Sequence, residues 1–185
     1  MKPTEELMHE HEAIKKMLNI MSNISDGIKN KKVFYTDDVE KIVDFLFVYV
    51  DKYHKDKEET VFYPALLLSK HSFENIGLMI NEHMIAKGYL TEILCCVENC
   101  KLGSTFSGER IADCIANYVQ LIDAHIKKEE NEYFPLANKA LSEETQTEIS
   151  KQFKLINDEL VGLDIHTRYD EILKSLVSKY TNKKA

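Results

Sequence analysis

The sequence predicts an all-α protein, an up-down-up-down four-helix bundle with additional C-terminal helices packed outside it. Three observations carry that expectation. Only six glycines and three prolines punctuate 185 residues, so little of the chain is broken by residues that stop helices. Apolar residues recur at spacings of three, four and seven through four stretches of similar length with short connections, the pattern of neighbouring helices that each bury one stripe. The segment His54–Pro64, HKDKEETVFYP, also returns as HIKKEENEYFP at His125–Pro135. Fixed-period self-similarity of this kind reads as two tandem copies of one unit.

The first helix opens at Pro3 and Thr4, where the Thr hydroxyl can satisfy an orphan N–H and Glu5 and Glu6 complement the helix dipole. Leu7, His11, Ile14, Leu18, Met21 and Ile28 share its inner stripe, and Gly27 to Lys32 form a loop. The second starts at Thr36 or Asp37 in a capping-box-like spacing to Glu40. Its stripe is Val39, Val43, Phe47, Val50, His54, Glu58 and Val61, and Pro64 is expected to end or bend it. A third runs from near Ser72 to near Gly103 with Ile76, Met79, Ile80, His83, Leu90, Ile93 and Val97 inside. The fourth begins between Ser104 and Glu109, buries Ile111, Ile115, Tyr118, Ile122, His125 and Glu129, and meets a brake at Pro135. Ser142 caps a fifth helix to about Leu160, Gly162 and the segment after it break the chain, and a last helix covers roughly Tyr169 to Tyr180 before a frayed end. Residues 1–140 are thus expected to be the bundle and 141–185 a helical extension of the same domain.

The formal charge of −7 and pI near 5.5 leave no basic stripe to neutralise phosphates, which argues against nucleic acid and against an anionic membrane. The most apolar run, IVDFLFVYVD, is interrupted by Asp44 and Asp51, too short to span a bilayer. No signal-peptide pattern opens the sequence, so a cytoplasmic setting is expected. Cys95, Cys96, Cys100 and Cys114 fit a reduced compartment and lack the second CxxC that would make a zinc site.

The ligand types interrupt these apolar stripes in a repeated register. His54 and Glu58, and again His125 and Glu129, are spaced i, i+4, so each pair presents an imidazole and a carboxylate to one point. His11 lies 43 residues before His54 and His83 lies 42 before His125. Four imidazoles and two carboxylates converging on one core are costly unless compensated by metal. The duplication suggests two metals, with bridging Glu residues supplying eight protein donor atoms and leaving room for an oxo or hydroxo bridge and an exchangeable position. Mixed imidazole and carboxylate donors favour two iron ions, with manganese as the alternative. His9 lies about 200° around the helix from His11 and has no counterpart before His83, where Asn81 stands. Lys57, Glu59, Lys128 and Glu130 repeat as well, beside rather than on the ligand line. A ferritin-like bundle would need Glu-x-x-His twice, and only Glu6–His9 has that spacing.

The pattern H…HxxxE…H…HxxxE, carried by His11, His54, Glu58, His83, His125 and Glu129, together with the flanking KEE, the aromatic-Pro endings and the EH pairs, resembles the hemerythrin-like, HHE cation-binding proteins. The resemblance implies an oxo- or hydroxo-bridged non-haem di-iron site that binds or reacts with dioxygen, nitric oxide or peroxide, by sensing or slow turnover, with a possible redox partner. An iron-dependent sensor or store, or an iron donor of the iron–sulfur repair type, is the non-catalytic alternative. Lys87 stands where oxygen-carrying members place a fifth histidine, which argues against reversible oxygen carriage. In some small bacterial members a tyrosine also binds iron, which makes Tyr118 a further candidate ligand. Oligomeric state is not encoded in any of these patterns.

Overall fold

The computed structural model describes residues 1–69, 73, 75–104, 106–161 and 165–181, with the side chains of 160, 161, 165 and 166 outside that description. Among the described residues six helices follow one another: α1 (Pro3–Lys29), α2 (36–68), α3 (Ile76–Lys101), α4 (107–140), α5 (Glu143–Val161) and α6 (Ile165–Tyr180). No strand occurs among the described residues. Helix α1 packs on α2 and α4, and α3 packs on the same two, which closes a four-helix ring; α5 and α6 lie outside it against α1 and α2. The all-α bundle with external C-terminal helices is therefore the observed architecture.

Two apolar clusters fill the bundle. The larger runs from Ile14 to Ile28 on α1 and includes Ile42, Phe45, Ile93, Ile115 and Ile122. The smaller is aromatic, built on Phe62, Tyr63, Phe134 and Phe153 with Leu7 and Met79. On α1, Leu7 belongs to one cluster and Ile14 to the other, with His11 between them; Met79 and Ala86 flank His83 on α3 in the same way. A polar layer thus separates two greasy ones. Lys29 ends α1 18 residues after His11, and Thr36 opens α2 18 residues before His54. Lys101 and Ser107 stand 18 residues from His83 and His125 in the second unit, about five helical turns in each case. Equal depth from the same end of the bundle brings the four side chains level.

The prolines do not end their helices. Leu46–His54, Lys57–Phe62 and Glu129–Tyr133 are π-helical, and Pro64 and Pro135 sit in the first turn of the α-helical segments Tyr63–Leu68 and Phe134–Ala140 that follow. A wide i→i+5 turn accommodates a residue that lacks an N–H and would otherwise clash with the carbonyl behind it. The same widening rotates the buried face of α2 away from the α-helical period. Phe47, Val50 and Val61 are only half-buried, and Leu46, Tyr49, Tyr53 and Phe62 take the interior instead.

Helix starts differ in smaller ways. Thr4 Oγ1 donates to Asn138 Oδ1 at 3.1 Å rather than capping, and Glu5 instead accepts from Lys2 N at 2.7 Å. Helix α2 begins after Tyr35 with no side-chain cap. Ser142 does cap α5, accepting from Thr145 N at 3.1 Å. Helix α6 starts at Ile165, a turn earlier than Tyr169, because Ile, His, Thr and Arg are all tolerated in a helix; His166 is in its first turn. The expected features at Ser72, at Gly162 and at the frayed end beyond residue 181 lie outside the described residues, as does His71.

Helix α5 is anchored by Phe153, fully buried in the aromatic cluster. Phe153→Ala is expected to destabilise the protein by about 3–5 kcal/mol in urea denaturation, whereas Leu155→Ala, on the exposed side of the same helix, should stay within about 0.5 kcal/mol.

Candidate metal centre

All six residues of the repeated pattern are buried: His11, Glu58 and Glu129 completely, His54, His83 and His125 nearly so. The structure brings them to one place. His11, His54, Glu58 and Glu129 form one constellation of donor atoms, and Glu58, His83 and His125 form a second that shares Glu58. Within the first, His11 Nε2 and His54 Nε2 are 3.2 Å apart; within the second, His83 Nε2 and His125 Nε2 are 2.9 Å apart. Tyr118 packs in the aliphatic cluster and makes none of the hydrogen bonds of this centre. Burial, with the charge of Asp51, pushes its phenol up.

What aims the nitrogens is a set of four carboxylates behind the rings. His54 Nδ1 donates to Glu10 at 2.8 Å, His125 Nδ1 to Glu82 at 2.9 Å, His83 Nδ1 to Glu59 at 2.7 Å and His11 Nδ1 to Glu130 at 3.0 Å. A carboxylate can only accept, so each bond places a proton on Nδ1 and turns Nε2 inward, the nitrogen left to bind a metal once any second proton is lost. The repeat KEE acquires a role at every letter. Lys57 pairs with Glu10 and Lys128 with Glu82, Glu58 and Glu129 face the centre, and Glu59 and Glu130 hold a histidine of the other unit. Lys57 is completely buried, reaching Glu6 at 2.7 Å and lying 4.0 Å over the Tyr53 ring.

Of the site's assistants, Glu59 and Glu130 stand in the sequence as repeated neighbours of the ligand line, whereas Glu10, Glu82 and Tyr63 lie outside the His-x-x-x-Glu pattern. The signal for the first two was the EH pair, which places a carboxylate one residue before His11 and His83. Tyr63 Oη donates to Glu129 Oε1 at 2.6 Å. His9 points to solvent, with Glu12 3.7 Å away. The cysteines are free thiols, none of them in either constellation; burial and Glu92 push Cys114 up to about 12.

The electrostatics are those of a centre short of positive charge. Three carboxylate oxygens, Glu58 Oε1, Glu58 Oε2 and Glu129 Oε2, are buried without a hydrogen-bond donor. Burial opposes ionisation of Glu129, yet the charge of His125, with His11 and His54 beside it, holds it below the usual carboxylate range. Burial likewise opposes protonation of His54, but the charge of Glu58 and the bond to Glu10 raise it to about 10. In the metal-free protein, protons on imidazole serve as the counterions.

A cation fits these donors. Two nitrogens bound at about 2.1 Å and at right angles around one ion lie roughly 3.0 Å apart, the spacing of both Nε2 pairs. Bare carboxylate oxygens beside neutral, Nδ1-protonated imidazoles complete a hard-to-borderline donor set free of thiolate. A four-helix bundle built around a buried histidine–carboxylate centre is a metal-binding bundle. The chain belongs to the Hemerythrin HHE cation binding domain family, whose sequence profile matches residues 2–137. No curated protein and no solved structure shows significant similarity to it. Among the described residues no helix is long and apolar enough to cross a membrane.

The shifts set a pH window for the metal-free protein. His54, raised from 6.5 to about 10, contributes stability that is complete below pH 6.5 and is lost as pH climbs toward 10. Glu82, lowered from 4.5 to about 2 mainly by its bond from His125, contributes stability that is complete above pH 4.5 and is lost on acidification. Thermal unfolding of chelated protein should therefore peak between these limits; a melting temperature that rises steadily from pH 7 to 10 would contradict the assignment.

Proposed function

We propose that this chain holds two iron ions, one between His11 and His54 and one between His83 and His125, with Glu58 and Glu129 shared, and that it binds or reacts with dioxygen, nitric oxide or peroxide at an open position. One observation carries the reading: four Nδ1–carboxylate bonds turn four Nε2 atoms inward in two pairs at 3.2 and 2.9 Å, against three carboxylate oxygens that have no other partner. Nothing in a purely structural core needs that arrangement, since a buried unpaired carboxylate costs several kcal/mol. Bound iron supplies Lewis acidity and electrons to a small ligand.

The protein's own part is to fix and insulate. Glu10, Glu59, Glu82 and Glu130 keep the imidazole tautomers and raise the basicity of Nε2, while Lys57 and Lys128 neutralise two of those carboxylates from behind. The apolar clusters above and below exclude bulk water, which strengthens every charge interaction within the layer. Loading requires loss of the proton that His54 carries up to about pH 10, so metal uptake releases protons and tightens as pH rises. Sensing and slow turnover share these requirements.

Elemental analysis of the purified chain is the direct test: close to two irons per chain, with visible absorption that bleaches on reduction, is expected. No uptake of iron or manganese on reconstitution would end the proposal. With free metal at 100 times its dissociation constant, metal adds about 2.7 kcal/mol of stability, or roughly 5–10 °C in melting temperature, which chelation should remove. Glu59→Gln keeps the shape of the half-exposed side chain but weakens the bond behind His83; metal affinity should drop by about 10–100-fold with little change in the stability of the metal-free form.

A further inference from the structure

The two units differ at one atom in the heart of the site. The aromatic residue before each proline is Tyr63 in the first copy and Phe134 in the second. Both rings are buried, and each lies nearly parallel to a histidine: Phe134 against His11 with centroids 5.6 Å apart, Tyr63 against His83 with centroids 6.3 Å apart, both at 17°. The packing role is therefore the same in both halves. Only Tyr63 has a hydroxyl, which it gives to Glu129 Oε1 at 2.6 Å. Glu58, the counterpart of Glu129, receives no hydrogen bond at either oxygen.

That hydroxyl changes how the two carboxylates face the histidines. Glu58 offers one oxygen to each pair, Oε1 at 3.0 Å from His54 Nε2 and Oε2 at 3.4 Å from His83 Nε2. Glu129 offers a single oxygen to both, Oε2 at 3.2 Å from His11 Nε2 and 3.6 Å from His125 Nε2. Four residues consequently gather closely around His11 and His54, but three around His83 and His125, which Glu129 reaches only with the longer arm of its shared oxygen. The oxygen that the repeat would have supplied to the second group is Oε1, and Tyr63 holds it.

We infer that the half of the site formed by His83 and His125 is where a small ligand with an accepting lone pair, such as azide or nitric oxide, binds, because Tyr63 withholds Glu129 Oε1 from it and leaves one donor position open. The inference rests on the di-iron reading and adds to it a location and a residue. Tyr63 is a positioning residue: its one O–H is donated to Glu129 Oε1, and it acts on the metal through that carboxylate.

Tyr63→Phe removes the hydroxyl and keeps the ring, and Phe134→Tyr adds a hydroxyl at the mirror position while leaving Tyr63 in place. The full chain and both variants, loaded with iron, are titrated with azide by visible absorption, and metal release to a chelator is timed. The unaltered chain should release metal in two phases, the faster from the three-donor half. In Tyr63→Phe, Glu129 Oε1 is freed toward His125, so the fast phase slows and azide affinity falls by roughly tenfold or more, the worth of one hydrogen bond to a charged group. By the same logic Phe134→Tyr should not lower azide affinity and should instead open a second azide position beside His11 and His54. Two loaded metals with azide affinity and release unchanged in Tyr63→Phe would overturn the inference while leaving the di-iron reading intact. Equal loss in both variants would overturn it too, by assigning the effect to general disturbance of packing. A chain that takes up no metal at all would instead sink the di-iron reading and this inference with it.

Discussion

The structure depends on the bond between a histidine Nδ1 and a carboxylate on another helix, made four times. Without it, an imidazole in an apolar stripe is free to rotate and to bond through either nitrogen. With it, ring plane and tautomer are both set. The bonds also fasten helices together: Glu10 on α1 reaches His54 on α2, Glu82 on α3 reaches His125 on α4, and Glu59 and Glu130 link α2 to α3 and α4 to α1. The ring of helices and the ring of bonds are the same ring. Hydrophobic burial supplies the general drive to collapse, but it is indifferent to a rotation of one helix by a few tens of degrees, and these bonds are not.

Duplication gives the site its economy. Each unit contributes one carboxylate to its own histidine and another to a histidine of the other unit, so neither unit can complete a metal position alone. The lysines of the two KEE segments follow the same rule, since Lys57 and Lys128 neutralise the acids that precede His11 and His83. A buried carboxylate that accepts from an imidazole and from an ammonium is stabilised in its charged form, and Glu10 is accordingly held below the ordinary carboxylate range against the pull of burial.

Much of this was legible in the residues. The 3.6-residue period gave the stripes of α1, α3 and α4 almost unaltered, and the repeated His-x-x-x-Glu, with the lone histidine before each copy, picked out the six residues whose donor atoms gather at the centre. Three things were hidden. The π turns leave no mark in composition, since Leu46 to His54 and Lys57 to Phe62 are ordinary helix formers, so the face of α2 came out rotated, with Phe47 and Val50 in place of Tyr49 and Tyr53. Glu10 and Glu82 sit about 100° from the ligand line and act across to another helix, which periodicity within one helix does not report. Tyr63 and Phe134 read as equivalent aromatics, because the difference between them matters only through the partner that the hydroxyl finds.

The matched family segment stops at residue 137, yet the centre's support does not. Lys57, which neutralises Glu10 behind His54, has the Phe153 ring of α5 5.4 Å from its ammonium, and Asn157 on the same helix donates to Glu6 at 3.1 Å. The ordering of His54 is thereby tied to the docking of a helix whose anchor, Phe153, lies 99 residues further along the chain. In the language of hydrogen exchange, the contacts between α5 and the π-helical turns around Lys57 couple the opening of one to the opening of the other. Undocking α5 would admit water to a buried ammonium and two carboxylates at once, and that opening would be felt at an imidazole nitrogen deep in the bundle.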